Sequence, residues 1–237
     1  MTEQITTPSP RTLARVTGIF YLLIFITAGF AEGFVRGGLV VPGDAATTAA
    51  NIQASEGLWR AGFVADLIAF TLDALVGILF YILLKPVNST LALVALVLRL
   101  LGHPVIATVN LLNHFAALHV LAGTGHLAAF TPDQLQALMM VFLDLHGTGY
   151  LLAGVFFGLH LTVLGHLMFR SARFPRWVAV LVGLAAVGYL IESFGTFLAP
   201  GGADLYAMIV LASAVLGEMV LTLYLLIKGV KTVPAAT

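Results

Sequence analysis

Apolar residues in this chain come in long runs, and polar residues are confined to short gaps or to isolated positions inside the runs. Six stretches, near 14–35, 58–84, 89–121, 136–169, 177–199 and 205–228, are long enough to cross a bilayer, which takes about 20 residues of helix. The pattern predicts an all-α polytopic bundle with six transmembrane helices. Residues 1–13 read as an N-terminal tail, 14–229 as a single membrane domain and 230–237 as a C-terminal tail. The first stretch follows two arginines but is too long, and lacks the small-residue cleavage pattern, for a signal peptide. The third and fourth stretches exceed the bilayer, so they are expected to tilt, kink or project. Pro104 lacks the N–H of an interior helical residue and can kink the third. Gly147, Gly149, Gly154 and Gly158 permit close packing or a break in the fourth.

The gaps carry their own signals. Thr131-Pro132-Asp133-Gln134 has the spacing of a capping box and starts the fourth helix near Pro132. Pro42-Gly43-Asp44 reads as a turn, with Asp44 placed to cap a short loop or surface helix over 45–54. Trp59 and Trp177, at helix entrances, read as membrane-interface aromatics.

Composition agrees and excludes several classes. The chain is 60% hydrophobic and 9% charged, with a mean hydropathy of +1.04; soluble domains carry about 25% charged residues. With 11 basic and 11 acidic residues the net charge is zero, which argues against nucleic acid as a partner. Cysteine is absent, removing disulfides, thiolate metal sites and Cys nucleophiles. There is no P-loop, dinucleotide fingerprint or GxSxG nucleophile elbow.

Charge placement sets an orientation. Arg11, Arg15, Lys85, Arg170, Arg173, Arg176, Lys228 and Lys231 all fall on one side of a six-span protein. Positive residues stay cytoplasmic. The expected location is therefore the cytoplasmic (inner) membrane, with both termini inside.

Polar residues within the spans supply the candidate chemistry. Counted at 1.5 Å per residue, Asp66, Arg99, His160 and Glu218 fall near mid-bilayer. Glu32, Asn110, Asn113, His114, Asp144, His146 and Glu192 fall in the outer half, whereas Asp73, His103 and His166 lean inward. Arg99, His103, Asn110 and His114 form one stripe on the third helix, and His146, Tyr150 and His160 another on the fourth. Asp66 and Asp73 share a face of the second. Asp144 points away from the His146 stripe on an ideal helix.

Asp66, Arg99, His146, His160 and Glu218 are the candidate catalytic residues. Glu32, Asn110, His114, Asp144, Tyr150 and Glu192 are candidate binding residues. His103, His146 and His160, beside carboxylates, are the candidates for a divalent metal. A haem is disfavoured, because the third helix has no histidine pair to match His146 and His160. The bland alternative is that Asp66 or Glu218 bridges Arg99 and pins helices together. Six acids in or against the membrane, with Arg99 as the deep cation, exceed what one bridge needs.

Several dispersed motifs are familiar together: Phe30-Ala31-Glu32-Gly33-Phe34-Val35-Arg36, Val41-Pro42-Gly43-Asp44, Ala65-Asp66-Leu67-Ile68, Leu84-Lys85-Pro86-Val87-Asn88, Phe142-Leu143-Asp144-Leu145-His146 and Phe156-Phe157-Gly158-Leu159-His160. On these the chain resembles the bacterial multi-pass membrane proteins grouped as domain of unknown function 4386. The resemblance implies a six-helix membrane body and no particular activity.

Three functions remain open to the sequence. The first is an enzyme or binding protein with an outward-facing intramembrane polar pocket for a lipophilic small molecule, working through general acid–base groups or a metal. The second is a structural or partner-binding membrane subunit. The third is a proton- or cation-coupled carrier, for which a homo-oligomer would be needed.

Overall fold

The computed structural model describes residues 9–231, so the outer parts of both expected tails, 1–8 and 232–237, lie outside the described residues. Six helices are long and apolar enough to span a membrane: α1 Pro10–Leu39, α3 Glu56–Leu84, α4 Ser89–Leu121, α5 Pro132–Arg170, α6 Arg176–Leu198 and α7 Pro200–Ile227. A shorter helix, α2 Ala45–Ala54, follows the first span. The elements form where local chemistry starts them. Ser9 caps α1 by accepting from the Thr12 N–H, and Thr131 with Gln134 completes the expected capping box on α5. Asp44 caps α2, and the Thr47 backbone N–H and hydroxyl hold its carboxyl below the usual carboxylate range.

Chain neighbours are also spatial neighbours. α1 packs on α3, α3 on α4, α4 on α5, α5 on α6 and α6 on α7, and α7 returns to α1 to close the ring. Both described ends of the chain lie at one end of the bundle, where the Lys231 N–H donates to the Arg173 carbonyl and Arg173 Nη1 donates to the Leu83 carbonyl. The interior at that end is apolar, built from Val76, Phe80, Leu83, Leu161, Leu164, Leu167 and their neighbours. The outer wall is apolar too: Ile26, Val109, Leu112 and Leu211 are each more than half exposed, as lipid-facing residues are.

Gly149, Gly154 and Gly158 of α5 serve packing, Gly147 faces open space, and none of them breaks the helix, which is continuous for 39 residues. At Gly149 a Cβ would fall within the Asn110 side chain, and at Gly154 it would press on Ser193 Oγ. Omitting the side chain lets α4 and α6 approach α5 closely.

Three spans change winding. Phe30–Arg36 in α1, Leu101–Ala107 in α4 and Val215–Met219 in α7 are π-helical turns inside otherwise α-helical segments. The missing N–H of Pro104 accounts for the second. All three turns hold ionisable residues: Glu32 and Arg36, His103, and Glu218. Trp59 departs from the interface reading. It is buried, stacked on His114 at a centroid distance of 4.1 Å, with its indole N–H donated to the His114 carbonyl. Trp177, 55% exposed, keeps a wall position.

Candidate functional site: two polar clusters along the bundle axis

The buried polar residues form two levels, seven residues apart on α3. The level nearer the termini centres on Arg99, whose guanidinium is fully buried. It donates through Nη2 to Asp73 Oδ1 at 2.5 Å, through Nε to the Asp73 carbonyl and through Nη1 to His160 Nε2 at 3.0 Å. The rings of Tyr21 and Phe157 lie 4.9 and 5.1 Å from its centre. Tyr21 and Tyr189 donate to the two oxygens of Glu218 at 2.6 and 2.9 Å. His103 lies beside Asp73, with Nδ1 at 3.6 Å from Oδ2. All six spans contribute a side chain to this cluster.

The second level lies towards the opposite end of the bundle and centres on Arg36. Its Nη1 donates to Asp66 Oδ2 at 2.6 Å and to His114 Nδ1 at 3.3 Å, and its Nε donates to Glu32 Oε2 at 2.7 Å. Nη2 lies 3.5 Å from the Tyr150 hydroxyl. His146 packs edge-on against Tyr150 and His114. Asn110 donates to the His146 carbonyl at 2.7 Å and accepts from Asn113. The glutamate reaches the surface: its side chain is 68% exposed, while Asp66 is fully buried.

The two levels repeat one arrangement. Each has an arginine, an aspartate on α3, a histidine accepting from that arginine, and a tyrosine hydroxyl at the guanidinium. The histidine tautomers follow from backbone contacts. His114 Nε2 donates to the Trp59 carbonyl and His160 Nδ1 to the Ala95 carbonyl, so each presents its other nitrogen as an acceptor to arginine. His146 differs. The Asn110 amide takes the short bond to the His146 carbonyl, and His146 Nδ1 lies 3.3 Å from both the Asn110 amide nitrogen and the Asn110 carbonyl, so either tautomer is paired at Nδ1. His146 Nε2 has no partner although buried. Asp66 Oδ1, in the same cluster, is likewise buried and without a hydrogen bond, as are Asp73 Oδ2 in the Arg99 cluster and Ser193 Oγ on α6. Buried polar atoms are nearly always paired.

The sequence-derived candidates therefore divide. Asp66, His146, Asn110, His114, Tyr150 and Glu32 gather around Arg36; Arg99, His160, Glu218 and His103 gather around the other arginine. Asp66 does not meet Arg99. Its helix runs 29 residues, longer than the bilayer core, so counting from its start places Asp66 too deep. Asp144 is exposed on the far side of a regular α5, and Glu192 is half-buried on α6 and joins neither cluster. His146 lies in a different cluster from His103 and His160, and no group of three His, Asp or Glu among the described residues has metal-holding geometry. Arg36, Tyr21, Tyr189 and Trp59 are partners that depth and charge counting did not select. Glu32 four residues before Arg36 was the available sign for the first, and Tyr189 shares a helix face with Glu192 and Ser193; Tyr21 and Trp59 carry no local signal.

The family model described as Domain of unknown function (DUF4386) matches residues 16–229, and the chain belongs to that family. A protein of Archaeoglobus fulgidus described as an uncharacterized protein is 28% identical over 160 residues, covering 68% of this chain and 78% of the relative. No solved structure matches.

Proposed function

We propose that this DUF4386 member binds the polar head of a lipophilic molecule at the Arg36 cluster, with the head admitted past Glu32 from the end of the bundle opposite the termini. The observation carrying this reading is the pair of buried, unpartnered polar atoms, Asp66 Oδ1 and His146 Nε2, in one cluster; the Arg99 cluster has one such atom, Asp73 Oδ2, with His103 Nδ1 beside it at 3.6 Å. Asp66 Oδ1 accepts, so the missing group carries a donor: a hydroxyl or an amine fits and pairs with His146 Nε2 in either tautomer, and a carboxylate or phosphate does not fit. Arg36 holds Asp66 and the exposed Glu32 at once, so its rotation would open the cluster. The Arg99 cluster supports a different task. It joins all six spans with its arginine fully enclosed, which suits a fixed floor. The protein is assigned to the cytoplasmic membrane with both termini inside, on the segregation of cations.

A proton- or cation-coupled carrier is the second reading. It is favoured by four carboxylates, Glu32, Asp66, Asp73 and Glu218, set against two arginines along one axis.

The test is mass spectrometry of organic extracts from the purified protein. A stoichiometric hydroxyl- or amine-bearing lipophile should accompany the wild type and the exposed-residue control Asp144→Asn, and be lost from Asp66→Asn and His146→Ala. Equal contents in all four proteins would refute the reading.

A further inference from the structure

At the termini end a cleft of about 610 Å³ opens among Arg11, Pro175, Tyr224, Lys228, Val230 and Lys231. Three separate elements build it: the start of α1, the turn into α6 and the end of α7. Its shape is fixed by the chain. Past α7 the backbone turns through Gly229 at φ 68°, a left-handed conformation that suits glycine, and a Cβ there would meet the Arg11 side chain. Val230 is buried and the Lys231 N–H is held by the Arg173 carbonyl, so Lys228 and Lys231 are set beside Arg11.

The cleft is unbalanced in charge. Among the described residues its three cations form no ion pair and no acidic residue lines it. Its mouth is amphipathic. Tyr224 forms part of the wall and packs edge-on against Trp177, which is 55% exposed; Ile227, next to Lys228, is 66% exposed. Cations beneath aromatic and aliphatic surface match a ligand that is anionic at one end and hydrocarbon at the other.

We infer that this cleft binds the headgroup of an anionic phospholipid carrying two phosphates. Three convergent cations leave a single phosphodiester overmatched, whereas two phosphates engage all three. The ligand's chains would lie along the exposed face of α7. This site is separate from the Arg36 cluster, at the other end of the bundle and of opposite preference.

The test uses the full chain purified in zwitterionic nanodiscs, with thermal stability and native mass spectrometry as readouts. Cardiolipin should raise the unfolding temperature and remain bound, more than phosphatidylglycerol does at matched phosphate content. Arg11→Gln/Lys228→Gln/Lys231→Gln should lose both effects, with retention weakened about fivefold per cation removed. Lys231→Gln alone, beyond the last helix, gives the single-step loss should the triple variant not fold. Lys85→Gln/Arg170→Gln removes charge elsewhere on the same end and should retain both effects. Equal stabilisation by phosphatidylglycerol, or retention by Lys231→Gln and the triple variant, overturns the inference. An equal shift from soluble inorganic diphosphate alone overturns the lipid assignment.

Discussion

Arg36 Nη1 lies 2.6 Å from Asp66 Oδ2, joining α1 to α3 through an ion pair in which the carboxylate is fully buried and the guanidinium nearly so. The same arginine reaches the exposed Glu32, so one side chain connects the bundle's surface to its interior.

Breaking that pair from either side should have unequal costs. Arg36→Met leaves Asp66 buried without its cation, and such losses run to about 3–5 kcal/mol. Asp66→Asn keeps a hydrogen-bonding partner and should cost less. Arg36→Met/Asp66→Leu should recover part of the single Arg36→Met loss. Chemical or thermal unfolding in detergent gives the three values, and a double variant less stable than Arg36→Met would contradict the pairing.

The three buried histidines should separate by phenotype. His114 and His160 each fill two hydrogen bonds, one to a carbonyl and one from arginine. Replacing either with alanine should lower stability by about 1–3 kcal/mol per group left unpaired. His146→Ala breaks one hydrogen bond, at Nδ1, and removes one unpartnered nitrogen, so it should disturb stability less while abolishing ligand retention. Similar stability losses in all three, with retention intact in His146→Ala, would assign His146 a packing role.

Arg99 should not tolerate lysine. Its planar fork serves the Asp73 side chain, the Asp73 carbonyl and His160 together, and a single ammonium cannot reproduce that geometry. Arg99→Lys is expected to cost about 2 kcal/mol or more, measured by the unfolding midpoint, with spans from both sides of the ring loosened in hydrogen exchange.

Gly217 sets how closely α7 meets α6. A Cβ there would strike the Leu181 carbonyl and the Ala185 methyl, and backbone cannot step aside as a flexible side chain can. Gly217→Ala should cost about 1–3 kcal/mol and pull the adjacent Glu218 from Tyr189. An unchanged unfolding temperature would show that the helices are not in contact there.

Topology can be checked without removing native cysteines, because there are none. Ala129→Cys should react with a membrane-impermeant maleimide in intact cells, and Ser89→Cys only after permeabilisation. The reverse pattern would invert the orientation.

Much of the fold was legible because membrane spans are written in long apolar runs. The expected spans at 58–84 and 89–121 agree with the observed α3 and α4 to within two residues, and the Thr131 box starts α5 where the spacing put it. The set of polar residues was legible as well, since charge in hydrocarbon is conspicuous. Their pairing was not. Asp66 and Asp73 share a face, and sequence spacing does not say which of them meets Arg99; the depth of α3 in the bundle decides it. The π-helical turns at Glu32–Arg36 and Glu218 have no proline to announce them, unlike the one at Pro104. Trp59 looked like an interface residue because it opens a span, yet its partner His114 sits on a helix whose register only packing reveals.

The most direct test of the central claim is a density map of the protein in lipid nanodiscs, fine enough to place small groups at the Arg36 cluster. A non-protein group larger than water, bonded to both Asp66 Oδ1 and His146 Nε2, is the predicted result. A dry cluster in which both atoms turn to protein partners, or density no larger than a single water, would contradict it.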